Sequence, residues 1–356
     1  MAITKIPAAG FTGNNFRNII INGDMSIAQR ATSTSGISTT GRFVLDRWKL
    51  NVDTMGAWTV SQSTDVPTGQ GFAKSLKMDC TTADASPSAN DVLQIQQRFE
   101  GQNLQYLKKG TANAESLTLS FWVKSNKTGT YIIEVQDTDN DRIICKSYTV
   151  SASSTWEKKT ITFAGDTTGA LDNDNALSLL LIFWLSAGSD FTSGTLATDW
   201  ESRTNANRAV GQVNLADSTS NDFWITGVQL EAGTTASDFE FLPYDVNLQR
   251  CQRYFQKISS GYVGIASGWG NGGSDLQMVI DIPVRMRASP TFSNFTAMSA
   301  MPFNKTNSSP AVNSGPTQLE NGKIFFQTNG WGGSLTNQEI YLPAFTTNDC
   351  FMSAEL

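Results

Sequence analysis

The side chain best placed to act on a ligand is an indole. In SLTLSFWVKS, period-two alternation puts Leu117, Leu119, Phe121 and Val123 on one side of an extended strand and Thr118, Ser120, Trp122 and Lys124 on the other. The second side is polar except for Trp122, so that ring is expected on a solvent-facing sheet surface. An aromatic face there stacks on the C–H side of a pyranose while neighbouring hydroxyls and amides bond its hydroxyl groups. The same position also suits packing under a loop or against another subunit. Trp200, in TDWESRTN, is the second candidate. Trp269, beside the Gly-rich run GNGG, and Trp331, in WGGS, complete the candidate ligand-binding set. Both sit on expected loop tips, where recognition concentrates, although glycines there serve tight turns equally well.

Other chemistries are excluded or weakened by what the chain lacks. It has no His, which removes the commonest general base, metal ligand and triad partner. Cys80, Cys145, Cys251 and Cys350 are widely spaced and form no CxxC pair, so neither a zinc site nor a disulfide framework is indicated. Asp137, Asp139 and Asp141 in DTDNDR have the composition of a calcium turn, but Arg142 stands at the sixth position and Tyr148 at the twelfth, where an EF-hand needs Gly and Glu. A hairpin turn is the expectation there, and also for LDNDN at 171–175. The Gly-rich loop near Trp269 has no Lys and is no P-loop. Glycoside hydrolysis needs only two carboxylates, yet nothing singles out Asp199, Glu201 or any other pair. No catalytic residue, metal or cofactor is expected.

The elements that must position these side chains are strands. Charged residues are only 16% of the chain, and Ser, Thr, Asn and Gly fill the segments between apolar runs, as suits β structure with polar turns. The net charge of −6, with no Lys/Arg-rich run, argues against a nucleic-acid partner. No segment has the apolar length of a membrane span, and MAITKIPAAG shows no secretory signal. Strand-like runs recur from WTVSQS to DFWITGVQLE, with a turn of helix expected between Gly101 and Lys109. ALSLLLIFWLSAG is apolar on both faces, so it reads as a central covered strand with Trp184 in the core. RFVLDRWKLNV reads as an alternating strand, in which a buried Asp46 would need a hydrogen-bonding partner.

These signals predict an all-β chain: a short arm over 1–16, a jelly-roll β-sandwich over 17–245, a linker helix over 246–258 and a small β domain over 259–356. Leu248, Cys251, Phe255 and Ile258 fall at steps of three, four and three, one face of a helix. Asp245 stands ahead of them as a cap, and Pro243 forbids helix at Leu242. The stripe offers a linker or an oligomer seam, too short to hold a coiled coil unaided.

Two stretches carry a resemblance. NIIINGDMSIAQR followed by FVLDRWKL resembles the opening of a group of bacteriophage tail-fibre and minor virion structural proteins. DFWITGVQLEAG, then FEFLPYDVNLQRCQRYFQK, resembles the segment that closes the sandwich in that group, and CFMSAEL is similar to its final strand. The resemblance implies a virion component with a carbohydrate-binding-module-like jelly roll. It further implies a homotrimer that contacts other virion proteins through the arm and a host cell-surface glycan through its β domains. A capsid decoration or connector protein and a polysaccharide depolymerase are the competing expectations. Tail or capsid attachment is left open.

Overall fold

Most of the alternating runs pair over long range into strands. The computed structural model describes residues 16–258, 266–270, 276–293, 298–301, 305–307, 311–319, 322–329, 340–345 and 350–356. The chain divides into two compact units between Pro243 and Tyr244.

Unit 1 contains β1 (Ser33–Ile37), β2 (Arg42–Phe43), β3 (Lys49–Asp53), β4 (Ala57–Ser63), β5 (Ser75–Thr82), β6 (Val92–Glu100), β7 (Leu117–Ser125), β8 (Gly129–Asp137), β9 (Arg142–Val150), β10 (Glu157–Phe163), β11 (Leu177–Ala187), the short helix α1 (Ser189–Thr192), β12 (Glu201–Ser202) and β13 (Asp222–Ala232). They form two antiparallel sheets: sheet A in the order β1-β4-β5-β13-β7-β10, and sheet B in the order β12-β9-β8-β11-β6-β3-β2. Inward residues of both sheets, including Leu119, Phe121 and Val123 of β7 and Leu181 and Phe183 of β11, make one core. This is a jelly-roll β-sandwich, the fold class the alternation predicts. The helical turn expected between Gly101 and Lys109 is a pair of 3-10 turns, at Gly101–Asn103 and Gln105–Leu107.

Sheet B is covered on its outer face too. Ile132, Ile143, Cys145, Leu180, Ile182 and Trp184 form a second apolar layer with Ala197 and Ala209, and Phe191 and Leu196 pack against it. Trp184 donates to Glu134 Oε2 at 2.8 Å, and Arg208 Nε donates to Glu134 Oε1 at 3.0 Å, so the buried carboxylate is bonded from two sides. Trp184 is a core residue, as its doubly apolar strand requires. Of the two sheets of unit 1, sheet A is the one whose outer face is left polar among the described residues.

Two sequence expectations are corrected. RFVLDRWKLNV is not one strand: β2 ends at Phe43, and 44–48 bend into the core before β3 begins. Arg47 is in the left-handed region at φ 71°, which breaks the alternation. Asp46 is buried and accepts from Gln29 N at 2.7 Å and Gln29 Nε2 at 2.6 Å, a structural role. The linker helix is also shorter than expected: α2 runs Tyr244–Gln252 and the chain turns at Arg253 and Tyr254. Leu248 and Cys251 lie on α2, but Phe255 and Ile258 lie on β14 (Phe255–Ile258), so the four make no single helical stripe. β14 pairs along its length with the strand at 350–353, and this long-range ladder overrides the local period. Asp245 sits inside the first turn of α2, where its charge still favours the positive helix end.

The rest of unit 2 comprises β15 (Ala266–Gly270), β16 (Leu276–Asp281), β17 (Thr291–Ser293), β18 (Met298–Met301), β19 (Lys305–Asn307), β20 (Ala311–Leu319), β21 (Lys323–Asn329), β22 (Ile340–Phe345) and β23 (Cys350–Ser353). They form a three-stranded sheet, β14-β23-β17, and a seven-stranded sheet, β19-β18-β22-β15-β16-β21-β20. Leu276, Met278 and Ile280 share the buried face of β16 with Ile324, Phe326 and Met352 close by in the same core.

The DTDNDR loop is the β8–β9 hairpin, and its carboxylates have protein partners. Asp137 Oδ1 accepts from the amides of Asp139 (2.9 Å) and Asn140 (3.0 Å), Asp139 accepts from Asp172 N at 2.9 Å, and Asp141 pairs with Arg203. Lys109, nearly buried, bridges Asp137 and Asp166, while Arg142 holds Asp166 through two nitrogens at 2.7 and 3.1 Å. Burial pushes the Asp166 carboxyl up, but bonds from Arg142, Lys109 and Thr168 N outweigh it and leave the pKa below its ordinary 3.8. A lowered folded value means this contribution is complete above pH 3.8 and is lost as pH falls through the folded pKa. Asp166→Asn is expected to cost about 2 kcal/mol at pH 7, because two largely buried cations lose a shared anion, although Lys109 keeps Asp137. In urea titrations the gap between variant and parent should narrow below about pH 4; a gap that does not change with pH contradicts this account.

Candidate functional site

The site is built on β13, which changes partner halfway along. Asp222 to Ile225 pair with β5, and beyond that the entering segment takes over: Ile19 N donates to Leu230 O and Val228 N donates to Gly23 O, both at 2.9 Å. Between these regions β13 is bulged against β7, from Thr226 to Gln229, and Gly227 adopts φ 60°. A Cβ on Gly227 would stand 2.5 Å from the Phe72 ring, so the ring lies directly on bare backbone.

Phe72 is the base of an aromatic cluster. Its centroid is 5.1 Å from those of Phe239 and Phe241, which are 4.8 Å from each other. Phe239 and Phe241 come from a strap, 236–241, laid over the Gln229 end of sheet A. Gln229 holds it from beneath, accepting from Glu240 N at 2.8 Å and donating to Ser237 Oγ at 3.0 Å. Glu231 accepts from Ser237 N at 2.9 Å. From above, the Glu240 carboxylate accepts the amides of Phe16 at 3.1 Å and Asn18 at 2.9 Å.

Beside this cluster the outer face of sheet A opens into a cleft of about 290 Å3, lined by Gln70, Phe72, Ser120, Trp122, Lys158, Gly227, Asp238, Phe239 and Phe241. Strand register explains the set. Trp122 faces Thr226 of β13 on one side and Lys158 of β10 on the other, and Ser120 lies between Gln229 and Thr160. Trp122 is half-buried, while Lys158 and Asp238 are exposed.

The state of the indole nitrogens separates Trp122 from the other tryptophans of unit 1. Trp48 donates to Asn22 O, Trp58 to Met55 O, Trp156 to Asp65, Trp184 to Glu134 and Trp200 to Ala164 O. Trp224 Nε1 is buried without a hydrogen bond, its ring flanked by the Lys77 and Lys124 ammonium groups at 5.1 and 4.6 Å. Among the described residues Trp122 Nε1 has no partner and is not sealed from solvent. The Lys158 ammonium and the Asp238 carboxylate likewise have no partner among the described residues. Their neighbours differ: Lys159 pairs with Glu157, and Lys124 with Asp65. Burial raises the Asp65 pKa, but the bonds from Lys124 and Trp156 prevail and hold the carboxylate below its ordinary range.

Of the expected ligand-binding residues, the structure places Trp122 in the cleft. Trp200 stands elsewhere, packed against the core with Lys109 5.3 Å from its ring centroid. Trp269 belongs to β15, with its side chain outside the described residues, and Trp331 lies outside them altogether. Sequence reasoning missed Phe72, Phe239, Phe241, Lys158 and Asp238. The lone Gly227 inside a strand pattern was a signal for the bulge, but not for what would sit on it.

No family model matches the sequence, and no curated protein matches it. Solved structures do. One is the bacteriophage CBA120 tailspike protein 4 enzymatically active domain, at 13% identity and a TM-score of 0.32 over 61% of this chain and 22% of that one. This chain thus spans under a quarter of that one's length. A putative sugar binding protein from Bacteroides thetaiotaomicron matches at 12% identity and a TM-score of 0.34, over 60% of this chain and 99% of that one. A family 11 carbohydrate-binding module from Clostridium thermocellum, in complex with a beta-1,3-1,4-mixed-linked tetrasaccharide, matches at 12% and 0.28 over 58% and 99%. Similarity at this level assigns neither ligand nor activity to this chain.

Gly227→Ala is expected to cost about 2 kcal/mol, from left-handed strain and from displacing Phe72. Gly211→Ala provides the control, since Gly211 has φ 86° and nothing within 4 Å of an added Cβ. Equal losses for the two variants in urea unfolding would show that Phe72 does not rest on Gly227.

Proposed function

We propose that unit 1 binds a saccharide in the cleft over Trp122, without catalysis, and that the chain is a phage virion fibre protein that engages a host surface glycan. The observation that carries the binding reading is the half-buried Trp122 with its unpartnered indole N–H, on a polar sheet face between Ser120 and Lys158. An exposed indole face stacks on sugar C–H groups, and the surrounding Ser120 hydroxyl, Gln70 amide, Asp238 carboxylate and Lys158 ammonium supply hydrogen bonds to hydroxyl groups.

Support for a non-catalytic role comes from the cleft lining. Asp238 is its one carboxylate among the described residues, and glycoside hydrolysis by paired acids needs two. The virion role and the homotrimer rest on the resemblance of the NIIINGDMSIAQR, LDRW and QLEAG stretches to phage fibre proteins. With the expected helical stripe split between α2 and β14, the proposed trimer is held by β surfaces rather than by a helical seam. A stable monomer in solution mass measurement contradicts the trimer.

A glycan array probed with the full chain should show selective capture. Trp122→Ala should weaken the best hit by about tenfold or more, roughly 1.4 kcal/mol, with unfolding midpoint little changed. Trp200→Ala should do the reverse, lowering stability and sparing affinity. No captured saccharide, or capture indifferent to Trp122, overturns the binding reading.

A further inference from the structure

The outer face of sheet A can be followed in rows across the strands, and the rows show what shape of ligand fits. The first row runs Lys77, Trp224, Lys124. It is roofed: Asp65, from the loop before β5, pairs with Lys124, and Trp156 donates to the same carboxylate at 2.9 Å. The second row runs Thr226, Trp122, Lys158, and the third runs Gln229, Ser120, Thr160. At the β13 side both rows are stopped, the second by Phe72 seated on Gly227 and the third by the strap bonded to Gln229. The fourth row runs Glu231, Thr118, Thr162; Ser237 covers it at Glu231, and Gly233, whose carbonyl accepts from Thr118 Oγ1 at 2.7 Å, covers it at Thr118. The remaining side is β10, the edge strand of sheet A, where Lys158, Thr160 and Thr162 are exposed.

We infer that the cleft is blind and reads the end of a glycan chain, one or two terminal rings entering over the β10 edge, rather than the interior of a polymer lying across the sheet. This rests on the saccharide-binding reading of the cleft. A polymer-spanning groove must be open at two opposite margins, whereas here three margins are closed by side chains and strap. The volume of about 290 Å3 also stands at the small end of ligand pockets. The innermost ring stacks on Trp122 against the Phe72–Phe239–Phe241 wall, and Lys158 meets the chain where it leaves the mouth. Specificity then belongs to the terminal residue and its linkage, and a glycan presents one site per chain end whatever its length.

The test is calorimetric titration of the full chain with one saccharide captured on the array, supplied as one, two, four and eight repeats with the same terminal residue. End reading predicts one chain of this protein bound per oligosaccharide at every length in the unbranched series. It also predicts affinities that agree within about twofold beyond two repeats, since no further binding registers are gained. Trp122→Ala should weaken every member alike. Several copies bound per eight-repeat probe, or affinity that climbs steadily with length, overturns the blind cleft while leaving saccharide binding intact. No heat and no array capture with any probe overturns both.

Discussion

The left-handed kink at Gly227 is the constraint on which the site depends. β13 is a central strand, and its inward residues Phe223, Ile225, Val228 and Leu230 belong to the core. Keeping all four inward while the strand trades β5 for the entering segment requires one extra residue, and the bulge from Thr226 to Gln229 supplies it. Because that residue is glycine, Phe72 can lie on the backbone, and because Phe72 lies there, Phe239 and Phe241 have a surface to close on. The polar floor of sheet A thereby gains an apolar wall, and the two together make a cleft.

The entering segment locks the same strand from its other side. Asn18 accepts from the amides of Ile20 and Leu230, and Gly23 approaches so closely that a Cβ would stand 2.1 Å from Val228 O. Asn22 bonds Ile27 and Asp46 O, and accepts from Trp48 through its own carbonyl. The stretches NIIINGD, LDRW and VQLE, distant in sequence, are thus one interlocked set. Residues 16–18 extend that set to the strap through Glu240. The stretches that carry the resemblance at the opening and the close of the sandwich meet in a single structural junction.

How much of this the sequence disclosed follows from the range of the interactions. Period-two alternation is local, so β7 could be assigned its faces and Trp122 its outward position. The doubly apolar β11 announced a covered sheet for the same reason. Trp200 could not be set aside by sequence, because what occupies its indole is the Ala164 carbonyl, supplied from the segment just after β10. The stripe through Phe255 and Ile258 carried a helical spacing, yet β23 lies almost a hundred residues onward and its ladder decided the outcome. Pro243 barred helix at Leu242, but the destination of Phe239 and Phe241 over Gly227 depends on a bulge and on Phe72, neither of which announces a partner. Sites assembled from one strand face are readable in this chain; walls assembled from crossing loops are not.

The central claim is that a ligand meets this molecule at Trp122. The most direct measurement follows the indole N–H signals of the tryptophans by two-dimensional NMR while an array-captured saccharide is titrated in. The Trp122 signal should shift and saturate with the binding isotherm, whereas those of Trp48, Trp58, Trp184 and Trp200, each already bonded within the protein, should hold still. A saturating shift at Trp200 or in unit 2, with Trp122 unmoved, would contradict the account.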